Sequence, residues 1–408
     1  MTAVAISLMV LAVLGGAPTA LLFVECLLGA RSVRSVRSVR SSLSSQGTDA
    51  LPDASRSRIA VVVPAHNESS IIAATVHHLR GQLVAGDVLL VVADNCEDST
   101  AELATSAGAT VIERHDAQHR GKGYALSFAT DYLKTNGAPD VVVVVDADCR
   151  VSDGGVARLA AQATALRRPV QADYTLLVAP DARPSARMSA FAFRVRNRVR
   201  PRGLQRLGGA VHLGGTGMAF PWDVFVAAPA MRGHITEDLA LGVELTLAGH
   251  GPALCSDVQV TSDVAPSQAG QTGQRQRWES GHLQTIAHYG PRLLAQALVQ
   301  ARPRLLLSAC DLGIPPLALH VSMVGAGAVA SGLGAALGAS SWPLMLFGAE
   351  LAATAASVFV AWLAVGRDIM SAGDWLTLPG YVLAKIPLYL RLVRRKRGID
   401  WNKTERKT

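Results

Sequence analysis

Residues 141–145 are five consecutive valines, and the run ends in Asp146-Ala147-Asp148-Cys149. β-Branched residues with no polar alternation suit a strand buried on both faces, as in a parallel sheet covered by helices. The run is too short to cross a bilayer. It stops at two carboxylates one residue apart. In open α/β sheets, ligands gather beyond the carboxyl ends of the strands. Acids placed there either cap the next helix or hold a hard divalent cation, which keeps waters and binds through one or two carboxylates plus substrate phosphates. Taken alone, the stretch leaves both readings open.

Its surroundings repeat one pattern. Residues 59–63 predict a strand ending at Pro64-Ala65-His66-Asn67-Glu68, with Asn67 or Ser69 as cap of a helix over about 70–79. A second strand over 88–93 ends at Asp94, and Ser99 with Glu102 predicts a capping box for the helix after it. A third strand covers 110–113, and Gly121-Lys122-Gly123 heads a helix reaching about Leu133. A helix over 155–168, a strand over 170–178 and a basic helical stretch over 184–206 follow, the last expected as a solvated or membrane-surface face. Such alternation predicts an α/β fold, a doubly wound and mostly parallel sheet.

Three later groups carry chemistry. Gly214-Gly215-Thr216-Gly217-Met218 lacks the lysine and spacing of a phosphate-binding P-loop, and predicts close backbone approach to a ligand. Thr236-Glu237-Asp238 opens a helix over about 239–248, where acids suit the dipole or serve only as caps. Gln274, Arg277 and Trp278 stand at i, i+3 and i+4 and share a helix face. An amide, a guanidinium and an indole suit a sugar diphosphate, although an Arg-Trp pair alone also fits a surface cation–π contact.

Half of the 408 residues are hydrophobic, with the excess at the two ends. Residues 1–30 predict a transmembrane signal anchor, since no basic segment precedes the apolar run and positive charges follow it. The repeat RSVRSVRSVR opens a basic, low-complexity linker over 31–57, which by the positive-inside rule lies in the cytoplasm. Residues 301–392 form a C-terminal membrane region, with spans over about 313–338 and 343–366 and an interfacial helix over about 375–392. Glu350, inside the second of these spans, is expected to face protein. A basic cytoplasmic tail over 393–408 closes the chain. The expected location is the inner (plasma) membrane, multi-pass, with a cytoplasmic domain over 58–300. The net charge of +8 clusters beside hydrophobic segments, which points to lipid and not to nucleic acid. The five cysteines show no metal or CxxC spacing and are expected as free thiols.

The segments PAHNE, ADNCEDST, GKGYAL, VDADC, GGTGM, TEDLALG and QRQRW occur in that order. Together they resemble the family 2 glycosyltransferases, in particular the membrane-bound branch with cellulose, chitin and hyaluronan synthases, and the enzymes of bacterial exopolysaccharide assembly. The resemblance implies a GT-A type domain and a donor nucleotide sugar, expected to be UDP-linked. Asp94 and Lys122 would contact the nucleotide, in a pocket shared with the loop from Pro64 to Glu68. Asp146 would face the ribose and diphosphate, and Asp148 with Asp146 would hold Mg²⁺ or Mn²⁺. Asp238 would be the general base, with Glu237 beside it. Gln274, Arg277 and Trp278 would bind the diphosphate and the acceptor end, while Gly215, Thr216 and Gly217 would line the acceptor site. The acceptor would be a polyprenyl-linked saccharide or a growing glycan. A processive polysaccharide synthase is the nearest alternative. A sugar nucleotidyltransferase lacks its glycine-rich loop here, and a non-catalytic membrane scaffold would not need acids at all these positions.

Overall fold

The computed structural model describes residues 3–42, 56–229, 236–264 and 268–394. In chain order, α1 (Ala3–Ser42) precedes β1 (Ile59–Ala65), α2 (Ile72–Arg80), β2 (Val88–Asp94), α3 (Thr100–Ser106) and β3 (Thr110–Arg114). Next come α4 (Lys122–Asn136), β4 (Val141–Val144), β5 (Cys149–Val151), α5 (Gly155–Leu166) and β6 (Val170–Leu177). A helical stretch follows, α6 (Pro184–Arg194) and α7 (Arg200–Arg206) joined by a π-helical turn over Val195–Val199. After β7 (Met218–Pro221), α8 (Trp222–Ala227), α9 (Glu237–Leu247) and β8 (Ala253–Asp263), the chain is helical: α10 (Gln268–Val299), α11 (Pro303–Leu312), α12 (Leu317–Ala336), α13 (Trp342–Val365) and α14 (Leu378–Arg394).

The chain divides into two compact units. One, drawn from residues 39–177 and 210–281, holds all eight strands in a single sheet of order β3-β2-β1-β4-β7-β6-β8-β5. The pairs β1–β2, β2–β3, β1–β4 and β6–β8 are parallel, and β7 runs antiparallel to both neighbours, β4 and β6. Every residue of β4 is buried, as expected where both faces of a sheet are covered. Sequence reading finds β1 to β4 and β6 but not β5, β7 or β8. The four residues Met-Ala-Phe-Pro of β7 are too few to show a period.

The strand order sets the site. The chain leaves β1 toward β2 on one side and β4 lies on the other, so the carboxyl ends of β1 and β4 flank a topological switch point. Parallel register puts Ala65, Ala93 and Val144 at one edge of the sheet, and with them Asp94 and the loops that begin at His66, Asn95 and Val145. Antiparallel pairing of Val144 with Met218 then brings the loop before β7, residues 214–217, to the end of β4.

Local caps differ from the expected ones. No capping box forms at Ser99; the neighbouring Asp98 accepts the Thr100 N–H at 3.0 Å and also the Ser69 N–H at 3.1 Å. Neither Asn67 nor Ser69 caps α2; the Asn67 side chain accepts the Glu97 N–H at 2.7 Å. These bonds tie the loop after β1 to the loop after β2.

The second unit is drawn from residues 1–38, 178–209 and 282–399. Three of the described helices are long and apolar enough to cross a membrane: Ile6–Val33, Leu317–Ala336 and Trp342–Val365. Helix α1 continues through the basic repeat to Ser42, where the sequence suggests a linker. The rest of that linker, 43–55, and the tail from 395 onward lie outside the described residues. Glu350 is buried, as expected. The basic stretch 184–206 is not a solvated face: Arg194, Arg200 and Arg202 are buried. Arg200 Nε donates to Glu25 at 2.9 Å and its Nη2 to Asp311, and Arg194 pairs with Asp368. A buried guanidinium persists only when its donors meet acceptors. All five cysteines are free.

Candidate active site

Lys122, the first residue of α4, points its ammonium at the end of β4, donating to the Asp146 carboxylate and, at 2.6 Å, to the Gly215 carbonyl. The Asp146 N–H donates to Thr216 Oγ1 at 3.1 Å. Gln171, buried on β6, holds the same loop from behind: its Oε1 accepts the Gly214 N–H at 2.8 Å and its Nε2 donates to the Thr216 carbonyl at 2.9 Å. Gly215 has φ +86°, and a Cβ there would lie 3.1 Å from Asp238 Oδ2. Only glycine supplies that backbone conformation and that approach without strain. The end of β4, the head of α4, the glycine-rich loop and the start of α9 therefore meet at one place.

The charges are mutually coupled. Burial works against the Lys122 charge, but Asp146, Glu237 and Asp238 outweigh it and hold its pKa above the usual lysine value. Burial pushes the Asp146 carboxyl up, opposed by Lys122 and reinforced by Asp148. Burial and the neighbouring Asp238 push Glu237 up to about 8, against the pull of Lys122. The folded protein thus holds a proton on Glu237 that the unfolded chain releases near pH 4.5. The native state binds more protons across that window, so this contribution to stability is complete below about pH 4.5 and is lost as pH rises through about 8. In metal-free protein, Glu237→Gln should flatten the fall in stability over this range, read from urea midpoints at stepped pH. An unchanged slope would refute the assignment.

Helix α10 brings its face to the same place. Burial lowers the Arg277 pKa, and the Glu237 carboxylate opposes the shift. Gln274 and Trp278 are half-buried beside it. A Cβ on Gly281 would fall 2.3 Å from the Thr236 methyl, so the helix can approach Thr236-Glu237 only because residue 281 has no side chain. We expect Gly281→Val to push α10 away and cost about 1–3 kcal/mol by overpacking. Turnover should drop by more than the unfolded fraction explains, measured as specific activity against a urea melt. Sequence reasoning finds neither Gly281 nor Gln171. The one available signal for Gln171 is an amide in an otherwise buried strand.

The other expected residues sit on the same edge. Asp94 ends β2 and is clamped by Arg114 Nη1 at 2.7 Å, with both side chains 10% exposed. His66 Nδ1 lies 2.7 Å from the Asp94 carbonyl oxygen, which binds the Pro64–Glu68 loop to this corner. Gly217 turns inward, and a Cβ there would meet Val260 of β8 and Ala172 of β6. Thr216 is fully buried and acts on Asp146 through the hydrogen bond already described.

Ligand atoms of Asp146, Asp148 and Cys149 lie within 4.8 Å of one another. Burial, then Asp148 and Asp146, push the Cys149 thiol well above its ordinary value, and its Sγ donates to Asp148 Oδ1 at 3.4 Å. Sulfur is a soft ligand and hard ions prefer oxygen, so the pair of carboxylates is the donor set that suits Mg²⁺ or Mn²⁺. Lys122, Glu237 and Asp238 also line one end of a pocket of about 220 Å³.

Residues 56–281, more than half of the chain, match the model of the glycosyltransferase-like family 2. The chain belongs to this family. No curated protein matches its sequence. Among solved structures, this family 2 glycosyltransferase is similar to a mannosyltransferase from Pyrobaculum calidifontis in complex with GDP-Man and Mn²⁺. The likeness covers 97% of this chain and 99% of that one, with a TM-score of 0.54 at 20% identity, and shows the GT-A fold. A glucosyl-3-phosphoglycerate synthase from Mycobacterium tuberculosis, in complex with Mn²⁺, UDP and glucosyl-3-phosphoglycerate, matches 56% of this chain and 79% of its own at 21% identity and TM-score 0.36. A mannosyl-3-phosphoglycerate synthase from Rubrobacter xylanophilus matches 59% and 74% at 21% identity and TM-score 0.40. The mannosyltransferase and the glucosyl-3-phosphoglycerate synthase are complexed with Mn²⁺, and another structure of that synthase with Mg²⁺. The family match sets aside the sugar nucleotidyltransferase reading.

Proposed function

We propose that the protein is a membrane-bound, inverting, metal-dependent glycosyltransferase. It moves a sugar from a nucleotide sugar to a lipid-linked or polysaccharide acceptor in extracellular polysaccharide synthesis. The observation that carries this is the meeting of Lys122, Asp146, Gly215 and Asp238 at the end of β4. Asp146 and Asp148 would hold Mg²⁺ or Mn²⁺, which when bound offsets charge on a diphosphate. Asp94 and the Pro64–Glu68 loop lie where a nucleoside would extend along the same edge.

A sugar hydroxyl is a poor nucleophile and needs a carboxylate to take its proton. Asp238, held against Gly215, fills that role: the acceptor O–H bond breaks toward its Oδ2 while the acceptor oxygen bonds to the anomeric carbon. The bond from that carbon to the diphosphate breaks, and its electron pair leaves with the nucleoside diphosphate. Lys122 and Arg277 stabilise the growing negative charge. One displacement converts an α-linked donor into a β-linked product.

The three apolar helices support a multi-pass location, and the basic repeat after the first favours a cytoplasmic catalytic unit. Helix α14, with Pro387 inside it, suits an interfacial position. Three candidate spans among the described residues are few for an extrusion channel, which favours single additions over processive synthesis. Membranes supplied with radiolabelled nucleotide sugars, with lipid and polymer fractions counted separately, test both points. Label in the lipid fraction supports single transfer, long polymer supports the processive alternative, and none in either contradicts the proposal.

A further inference from the structure

In the unit drawn from residues 1–38, 178–209 and 282–399, one guanidinium answers two acids. Arg200 of α7 donates from Nε to Glu25 Oε2 at 2.9 Å. Its Nη2 donates to an Asp311 carboxylate oxygen and, at 3.1 Å, to the Asp311 carbonyl. The Glu25, Asp311 and Arg200 side chains are 0%, 3% and 9% exposed. Glu25 lies inside the first candidate span, Ile6–Val33, where packed protein gives its charge no water.

Geometry brings the two carboxyls side by side. Nε and Nη2 are neighbours on one side of a rigid planar fork, so acceptors gathered there stand a few ångströms apart. The second Glu25 oxygen, Oε1, is buried and has no hydrogen-bond partner among the described residues. Arg202, also buried on α7, is two residues on and points off another side of the helix. Two ionised carboxylates at Arg200 would repel each other and exceed its charge. One proton removes both penalties: it cancels the surplus and turns one acid into a donor for the other. A metal or hydrated cation fits less well. A Cβ on Gly203 would collide with the Glu25 carbonyl, and one on Gly29 with the Val199 carbonyl, so α1 and α7 meet backbone to backbone here. A hard cation takes about six oxygens, and that contact leaves little room for the waters to complete its shell.

We infer that Glu25 and Asp311 share one proton, so that the contact of α1 with α7 and α11 is a proton-binding site of carboxyl, carboxylate and guanidinium with no net charge. Solvent supplies the proton as the helices pack, and the two acids hold it between them. The shared proton is what lets the first candidate span dock on α7 and α11 with two acids facing one arginine. The inference is independent of the glycosyltransferase reading.

The test uses the purified full chain in detergent, unfolded with urea. Glu25→Gln and Asp311→Asn each put an amide where a carboxyl would donate, and each leaves one carboxylate for Arg200. Either alone should keep the unfolding equilibrium constant within about tenfold of the wild type. Together they strand the guanidinium and should raise that constant about 10²-fold or more. Infrared difference spectra read the proton itself. Wild type minus either single variant should show the C=O band of an un-ionised carboxyl, unchanged when choline replaces sodium and potassium in the buffer. No such band in either difference means two carboxylates and overturns the inference. A single variant that fails to fold does the same, as does a double variant whose effect is only the product of the two singles. A band seen only without sodium and potassium would make this a metal-cation site, and also overturns it.

Discussion

Asp238→Asn should lower sugar transfer by about 10²–10⁴-fold, the usual contribution of a positioned general base, while donor affinity stays within about threefold. The amide keeps the size of the carboxylate and its contact with Gly215, where a Cβ would stand 3.1 Å from Oδ2. It loses the capacity to take a proton from the attacking hydroxyl. Donor affinity depends on Lys122, Asp146 and Asp148, which the substitution leaves in place. Removing one acid also relieves Glu237, whose carboxyl Asp238 helps to push up, so Glu237 ionises at lower pH in the variant. Paired measurements of kcat and of donor Kd give the answer. Parallel loss of both would make Asp238 a structural or donor-binding group and would empty the base assignment.

The second large effect belongs to Asp148. Asp148→Ala should weaken metal-dependent binding of a nucleoside diphosphate by about 10²-fold or more, since it removes one of the two carboxylates able to hold the ion. Asp146 does not compensate, because its carboxylate already accepts from Lys122. Calorimetry of UDP and GDP with the wild type and the variant, each with Mn²⁺ and with EDTA, separates the contributions. The wild type should lose affinity in EDTA, and the variant should be nearly indifferent to it. Full affinity of the wild type in EDTA would remove the metal from the account.

How far these expectations were legible depended on how local their causes are. The valine run announces β4 because every residue is β-branched and buried, and Asp146 follows at its end by chain order alone. Three acidic or basic segments converge because parallel strands end on the same side, which alternation of strand and helix already implies. Non-local causes stayed hidden. Gln171 looks like a stray amide in a strand until β7 returns antiparallel beside it and presents Gly214 and Thr216. Ser99 and Glu102 have the spacing of a capping box, yet the Ser99 side chain makes no cap hydrogen bond, and Asp98, which also reaches the loop after β1, accepts the Thr100 N–H. Arg200 reads as one more solvated charge in a basic helix. Its partners, Glu25 and Asp311, lie 175 and 111 residues away in the chain, and only the packing of three helices buries all three.

The most direct test of the central claim is a ¹H NMR time course of the wild-type protein with Mn²⁺, an α-linked nucleotide sugar and octyl β-glucoside. The account predicts that the donor anomeric signal decays, free nucleoside diphosphate appears in equal amount, and a new β-glycoside doublet grows with them. A product doublet of α configuration, or donor that stays intact while it remains bound, would contradict it.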